Sequence, residues 1–324
     1  MSLVGAMPAL APLRGRYAPS PTGELHLGNL RTALLAWLFT RIQGGRFVLR
    51  IEDLDQPRVN SHATQQIITD LRWLGLDWDE GPDLSGPFAP YTQSERFEIY
   101  QHYLECLQAS SLVYPCYCSR AELAHAATAP QQGAGDGSRY PGTCRQLTSA
   151  QRRRHEAAGR RPSLRIHIPD EYQAHFIDLL AGPQQQSVQQ VVGDFILRRA
   201  DGIFAYQFAV VVDDGLMRIN QVVRGIDLLP STARQIFLFQ LLRFPIPTFA
   251  HVPLMVDSEG KRLSKRSASA GLAPLREAGY SAAEVIGQLA ASCGLAGIGE
   301  IMTPSELILR YPQPEYDIIT KLIQ

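Results

Sequence analysis

The period of the apolar positions changes three times within the first fifty-odd residues. Residues 16–18 read as a short extended piece. Pro19 and Pro21 stop it, because proline has no N–H to give to a ladder. Thr22 and Gly23 supply a turn, and a helix starts near Gly28 and Asn29. Its apolar residues Leu34, Leu35, Leu38 and Ile42 recur at helical spacing until Gly44-Gly45 ends it. Residues 47–51 then form a buried strand that runs into Glu52, Asp53 and Asp55. Strand, turn, helix and strand in this order predict a βαβ unit.

The same reading extends down the chain. Residues 62–74 form a helix with Ile67, Ile68, Leu71 and Leu74 on one side. After an acidic, turn-rich loop, another helix begins at Gln93 and reaches about Ala109. Short strands are expected at 163–168, 175–178 and 193–199. The apolar stretch 203–214 is a core helix or strand, and 221–229 is a buried strand followed by a turn. Arg224 falls at the C-terminal end of that strand, the usual ligand crevice of an open parallel sheet. A helix over 230–242 has Ser231 and Thr232 in its first turn, and 272–295 leaves room for a few more helices.

Composition narrows the class. A length of 324 residues suggests about two domains, and 45% apolar content supports a large core. Lys plus Arg equals Asp plus Glu at 31 each, so any nucleic-acid contact must use a local patch. No apolar run approaches the roughly 20 residues that span a bilayer, so no membrane partner is expected. Residues 1–12 lack the basic segment of a signal peptide and read as a disordered leader. Five clustered cysteines argue against a secreted disulfide framework and for the cytoplasm.

Four places carry candidate chemistry. His26 and Gly28 stand at a helix N-terminus, where unpaired N–H groups and a partial positive charge suit phosphate; the plain alternative is a turn with a surface histidine. Cys116, Cys118 and Cys144 form a C-x-C and a returning cysteine, a pattern suited to zinc; buried free thiols are the alternative. Tyr140, His125 and Asp136 are the candidates for a fourth ligand. The most basic stretch, 152–161, suits RNA phosphate and equally a solvated helix. A basic loop over 257–266 follows an Asp-x-x-Gly turn and suits an anion.

The run Arg16-Tyr-Ala-Pro-Ser-Pro-Thr-Gly-Glu-Leu-His26-Leu-Gly28-Asn29 resembles the His-Ile-Gly-His signature region of class I aminoacyl-tRNA synthetases, in the form of the glutamyl group. Arg50-Ile-Glu-Asp-Leu-Asp55 is similar to that group's next segment. The loop Lys261-Arg262-Leu263-Ser264-Lys265-Arg266 resembles the second signature, Lys-Met-Ser-Lys-Ser, of which Ser264 and Lys265 stand while the outer positions differ.

The resemblance implies an α/β fold: a Rossmann-type catalytic domain with an inserted zinc-containing subdomain and a short helical C-terminal part. On that pattern 1–13 is a leader, 14–110 and 203–270 are the halves of the catalytic domain, 111–202 is the insertion and 271–324 is the helical end. The resemblance implies ATP with Mg²⁺ at His26, Gly28, Asn29, Ser264 and Lys265, with His26 and Lys265 catalytic. It places glutamate at Arg16, Tyr17, Ala18, Pro19, Ser20, Glu52, Tyr206 and Arg224. Two arginine forks for two carboxylates, with Glu52 for the ammonium, make glutamate a better fit than glutamine. It also implies one structural zinc on Cys116, Cys118, Tyr140 and Cys144. Length and this cysteine site point to the truncated branch of the family, which activates glutamate without tRNA and attaches it to queuosine in the anticodon loop of tRNA(Asp). That branch is expected to act as a monomer. A glutamyl-tRNA synthetase lacking its anticodon-binding domain, or a catalytically silent tRNA-binding paralogue, are the alternatives.

Overall fold

In a computed structural model, residues 12–55, 59–60, 62–119, 122, 139–255, 271–311 and 322 are described. The βαβ unit is present as strand β1 (Arg14–Tyr17), helix α1 (Leu27–Arg41) and strand β2 (Arg46–Leu49). The two strands are parallel and in register from Arg14–Arg46 to Tyr17–Leu49. Gly44, at φ 63°, takes the left-handed turn that ends the α1 segment. Helix α1 approaches β1 so closely that a Cβ on Gly15 would lie 1.9 Å from Thr40 Oγ1.

Helix α2 (Ala63–Trp73), a 3-10 turn at Gln93–Glu95 and α3 (Phe97–Ala109) follow. Next come β3 (Val113–Cys116), α4 (Ser149–Ala157), β4 (Ser163–Ile166), β5 (Gln173–Asp178), β6 (Gly182–Ser187), the short α5 (Val188–Val191) and β7 (Phe195–Arg198). The apolar stretch whose type the pattern left open is a helix, α6 (Tyr206–Leu216). It precedes β8 (Gln221–Gly225), α7 (Leu229–Leu241) and β9 (Thr248–Val252). Among the described residues, α8 (Leu272–Glu277), α9 (Ala282–Ala291) and α10 (Pro304–Arg310) follow.

The main sheet has the order β2-β1-β8-β9-β5-β6, parallel except for the β5–β6 hairpin. Alternate residues of its strands enter opposite cores. Leu49, Val223 and Ala250 pack with α1, α2, α9 and α10, whereas Val48, Val222 and Phe249 pack with α3, α6 and α7. Strands β3, β4 and β7 form a separate antiparallel sheet. The span 111–202 therefore serves both sheets: β5 and β6 extend the main sheet, because Asp178 pairs with Phe249 of β9. The basic stretch begins on α4, which carries a capping box at Thr148 and Gln151 and buries none of its residues, and runs past its end to Arg161.

Candidate active site

Between β1 and β8 the chain reverses direction across the sheet, since α1 leads from β1 to β2 on one side while β8 pairs on the other. Such a switch point opens a crevice beyond the strand ends. Arg16 on β1 and Arg224 on β8 both lie there. Arg16, Tyr17, Ala18, Pro19, Ser20, His26, Gly28, Asn29, Glu52, Tyr206 and Arg224 all line one cavity of about 510 Å³. Ser264 and Lys265 lie outside the described residues.

His26 is the N-cap of α1, and its Nδ1 accepts the Asn29 N–H at 3.3 Å. Neutral imidazole carries one proton, so the cap leaves it on Nε2, a donor at the mouth of a helix N-terminus. Gly28 sits against this ring: a Cβ there would lie 3.1 Å from its Nδ1.

Deeper in, charged groups form a connected network. Arg50 is wholly buried and gives one Nη to Asp214 at 2.7 Å and the other to Glu52 at 3.0 Å. Burial raises the Glu52 pKa, while Arg50 and then Arg16 hold it down in part. Asp213, also wholly buried, takes Arg96 Nε at 2.7 Å and the Tyr100 hydroxyl. Among the described residues Arg16 donates only to the Val223 carbonyl at 3.3 Å, and its Nε stands 3.5 Å from Asp214, which Arg50 already engages. Arg224 bonds two uncharged groups, His251 Nε2 at 3.0 Å and Thr232 Oγ1 at 2.8 Å. Burial lowers its pKa. Tyr206, half-buried at the start of α6, has its phenol pushed up by burial and then by Glu52.

The cysteines also converge. The sulfurs of Cys116, Cys118 and Cys144 lie within 4.8 Å of one another, with Cys118 and Cys144 3.5 Å apart. The Tyr140 hydroxyl joins them, 3.3 Å from Cys116 and 4.0 Å from Cys118, and takes the Cys144 N–H at 2.9 Å. Sulfurs around a tetrahedral zinc stand about 3.8 Å apart, so this donor set fits that ion. Arg165 lies over the Tyr140 ring at 3.9 Å. Burial raises the Cys116 thiol, but Tyr140 and Arg165 outweigh it, so its pKa falls. The other two candidates for a fourth ligand, His125 and Asp136, lie outside the described residues.

A family model described as tRNA synthetases class I (E and Q), catalytic domain, matches residues 12–312. The chain belongs to the class I tRNA synthetases of the E and Q group. Among curated relatives of this synthetase, a glutamyl-Q tRNA(Asp) synthetase of Symbiobacterium thermophilum is 55% identical over 91% of both chains. One of Nitratidesulfovibrio vulgaris is 51% identical over 87% of both. A glutamate–tRNA ligase 2 of Acidithiobacillus ferrooxidans is 48% identical over 86% of this chain and 57% of its own. A solved glutamate tRNA ligase of Elizabethkingia meningosepticum, in complex with its amino acid, superposes with a TM-score of 0.81 at 31% identity. That match covers 95% of this chain and 65% of that one.

The structure adds site groups that the sequence reading left out. Arg50, Asp213 and Asp214 form the floor of the network. Two adjacent acids at the end of the Val-Val-Val run on α6 were the signal for it. Arg31, which lines the cavity, reaches from α1 to the carbonyls of Pro253 and Ser292. Asp178, His251 and Thr232 stand behind Arg224.

Proposed function

We propose that this synthetase activates glutamate with ATP in the absence of tRNA and transfers it to queuosine in the anticodon loop of tRNA(Asp). The carrying observation is that, among the described residues, Arg16 and Arg224, both buried at the cavity, lack a carboxylate of their own: the one shares Asp214 at 3.5 Å and the other bonds neutral partners. A buried guanidinium without a matched anion is costly, and a ligand with two carboxylates removes that cost. Glu52 then takes the ammonium. The similarity to relatives named glutamyl-Q tRNA(Asp) synthetase, along nearly their whole length, supports the choice of acceptor.

The chemistry follows from these groups. A glutamate carboxylate oxygen attacks the α-phosphorus of ATP, the bond to the β-phosphate oxygen breaks, and pyrophosphate leaves. The amino acid is the nucleophile, so the protein's task is to align reactants and neutralise phosphate charge. His26 Nε2–H and the N–H groups after Gly28 face the phosphates, Asn29 holds the His26 ring, and Ser264 and Lys265 complete the phosphate contacts. Magnesium accompanies ATP. A queuosine hydroxyl next attacks the carbonyl of the adenylate, forming an ester and releasing AMP. Cys116, Cys118, Cys144 and Tyr140 hold one structural zinc, and the enzyme is a monomer of the cytoplasm. Among the described residues no helix is long and apolar enough to cross a membrane.

ATP–pyrophosphate exchange tests the first step. It should run with glutamate and no RNA, and at least about 10²-fold more slowly with glutamine, which leaves a buried charge unmatched. Exchange that requires tRNA, or that accepts glutamine equally, would overturn the reading.

A further inference from the structure

Behind Arg224, three adjacent parallel strands each contribute one side chain to a line of hydrogen bonds. Arg224 on β8 is in register with His251 on β9, and its Nε–H donates to His251 Nε2 at 3.0 Å. Across the next strand pair, His251 Nδ1 meets Asp178 Oδ2, at the end of β5, at 2.5 Å. His251 and Asp178 are each 1% exposed. We infer that His251, oriented by Asp178, is a positioning residue that fixes the Arg224 guanidinium for the carboxylate of the amino-acid substrate. This deepens the glutamate reading above and rests on it.

The geometry depends on which ring nitrogen of His251 holds the proton. The other oxygen of Asp178, Oδ1, accepts three backbone N–H groups: Leu180 at 3.0 Å, Ala181 at 2.8 Å and His251 at 3.1 Å. Those donors lock the carboxylate with Oδ2 facing the imidazole. An ionised carboxylate only accepts, so His251 Nδ1 must carry a proton. In the neutral ring Nε2 is then a lone pair, which is what the Arg224 Nε–H requires. Burial, with Arg224 and Arg16 nearby, lowers the His251 pKa against the pull of Asp178, so the ring stays neutral. Thr232 Oγ1 accepts Arg224 Nη2 at 2.8 Å and lies 3.2 Å from His251 Nε2. Two of the three nitrogens of the guanidinium are thus held from behind. Its other Nη makes no hydrogen bond among the described residues, in a side chain that lines the cavity.

This line makes an unusual forecast for Asp178→Asn. The three backbone N–H donors keep the amide oxygen at the Oδ1 position, so the NH₂ group must face His251 Nδ1. The ring proton moves to Nε2 and confronts the Arg224 Nε–H, donor against donor. His251→Phe removes the acceptor while keeping a ring beside Phe249. His251→Gln returns an acceptor oxygen near the position of Nε2.

The test is glutamate-dependent ATP–pyrophosphate exchange by the full chain, resolved into kcat and the KM of each substrate. The KM for glutamate should rise about 10- to 150-fold in His251→Phe, the range for losing a hydrogen bond to a charged group. Asp178→Asn should raise it at least as much, and His251→Gln should recover most of the loss. The KM for ATP should stay within about twofold throughout, since a merely structural role would disturb both substrates. An unchanged glutamate KM in His251→Phe, equal behaviour of the Phe and Gln variants, or a parallel rise for ATP would overturn the inference. If the variants do not fold, ¹⁵N NMR of histidine in the unaltered protein decides: a buried ring protonated on Nδ1 supports it, and one protonated on Nε2 overturns it. Wild-type protein that shows no glutamate-dependent pyrophosphate exchange would instead sink the function reading, so the two failures are distinguishable.

Discussion

Replacing Arg224 by methionine removes a buried guanidinium but keeps an unbranched side chain along the same path. Two effects follow, and they act on different observables. The protein loses the bonds to His251 Nε2 and Thr232 Oγ1, yet it also sheds a desolvated cation with no carboxylate partner among the described residues, so the net change in stability is small. The substrate loses a charged, hydrogen-bonded partner at a site only 4% exposed. Truncating one member of such a pair costs about 2–5 kcal/mol, so kcat/KM for glutamate should fall about 30- to 4,000-fold. With Arg224 on the side-chain carboxylate, which glutamine lacks, glutamine should lose much less, so the preference for glutamate narrows. Pyrophosphate exchange with both amino acids, alongside a urea melt, measures these outcomes together. An Arg224→Met enzyme with unchanged glutamate kcat/KM, or with equal losses for both amino acids, would refute the assignment of this arginine.

Other expectations concern the remaining parts of the site. Protein purified without added zinc should contain about one equivalent of metal, and Cys144→Ser should lose it; a metal-free, well-folded wild type would contradict the four-ligand site. Lys265→Ala should slow glutamate activation about 10²–10³-fold with little change in glutamate KM, and normal turnover with weak glutamate binding would reverse its assignment to phosphate. Gly28→Ala places a Cβ 3.1 Å from His26 Nδ1, so the imidazole must shift; kcat should drop about tenfold with the fold intact, and full activity would show that the ring's placement is not critical.

The local half of this architecture was legible because it is written in short-range pattern. The βαβ unit needs only adjacent periods and the glycines after α1. Cys116, Cys118 and Cys144 are marked by spacing, and the structure brings their sulfurs together. The helical state of the Tyr206–Leu216 segment was not legible, since a continuous apolar run suits a buried helix and a buried strand alike. The β5–β6 hairpin was hidden for another reason. Gly182–Ser187 carries three glutamines on an edge strand, where no apolar alternation is demanded. Its membership in the main sheet depends on the pairing of Asp178 with Phe249, far apart in sequence. Asp178 and His251 likewise have no local signature: 73 residues separate them, and only the strand order makes them neighbours. Glu52, Tyr206 and Arg224 were identified through the family pattern, and their convergence on one cavity is a property of the fold.

Whether glutamate goes to an internal nucleoside of tRNA(Asp) is read from the acceptor itself. Radiolabelled glutamate, ATP and the protein are incubated with tRNA(Asp) that contains queuosine and with the same tRNA lacking it. Nuclease digestion and mass spectrometry of the nucleosides then locate the label. Label is expected on queuosine in the first sample and none in the second. Glutamate on the terminal adenosine, in both samples alike, would contradict it and make the chain a synthetase for the acceptor end.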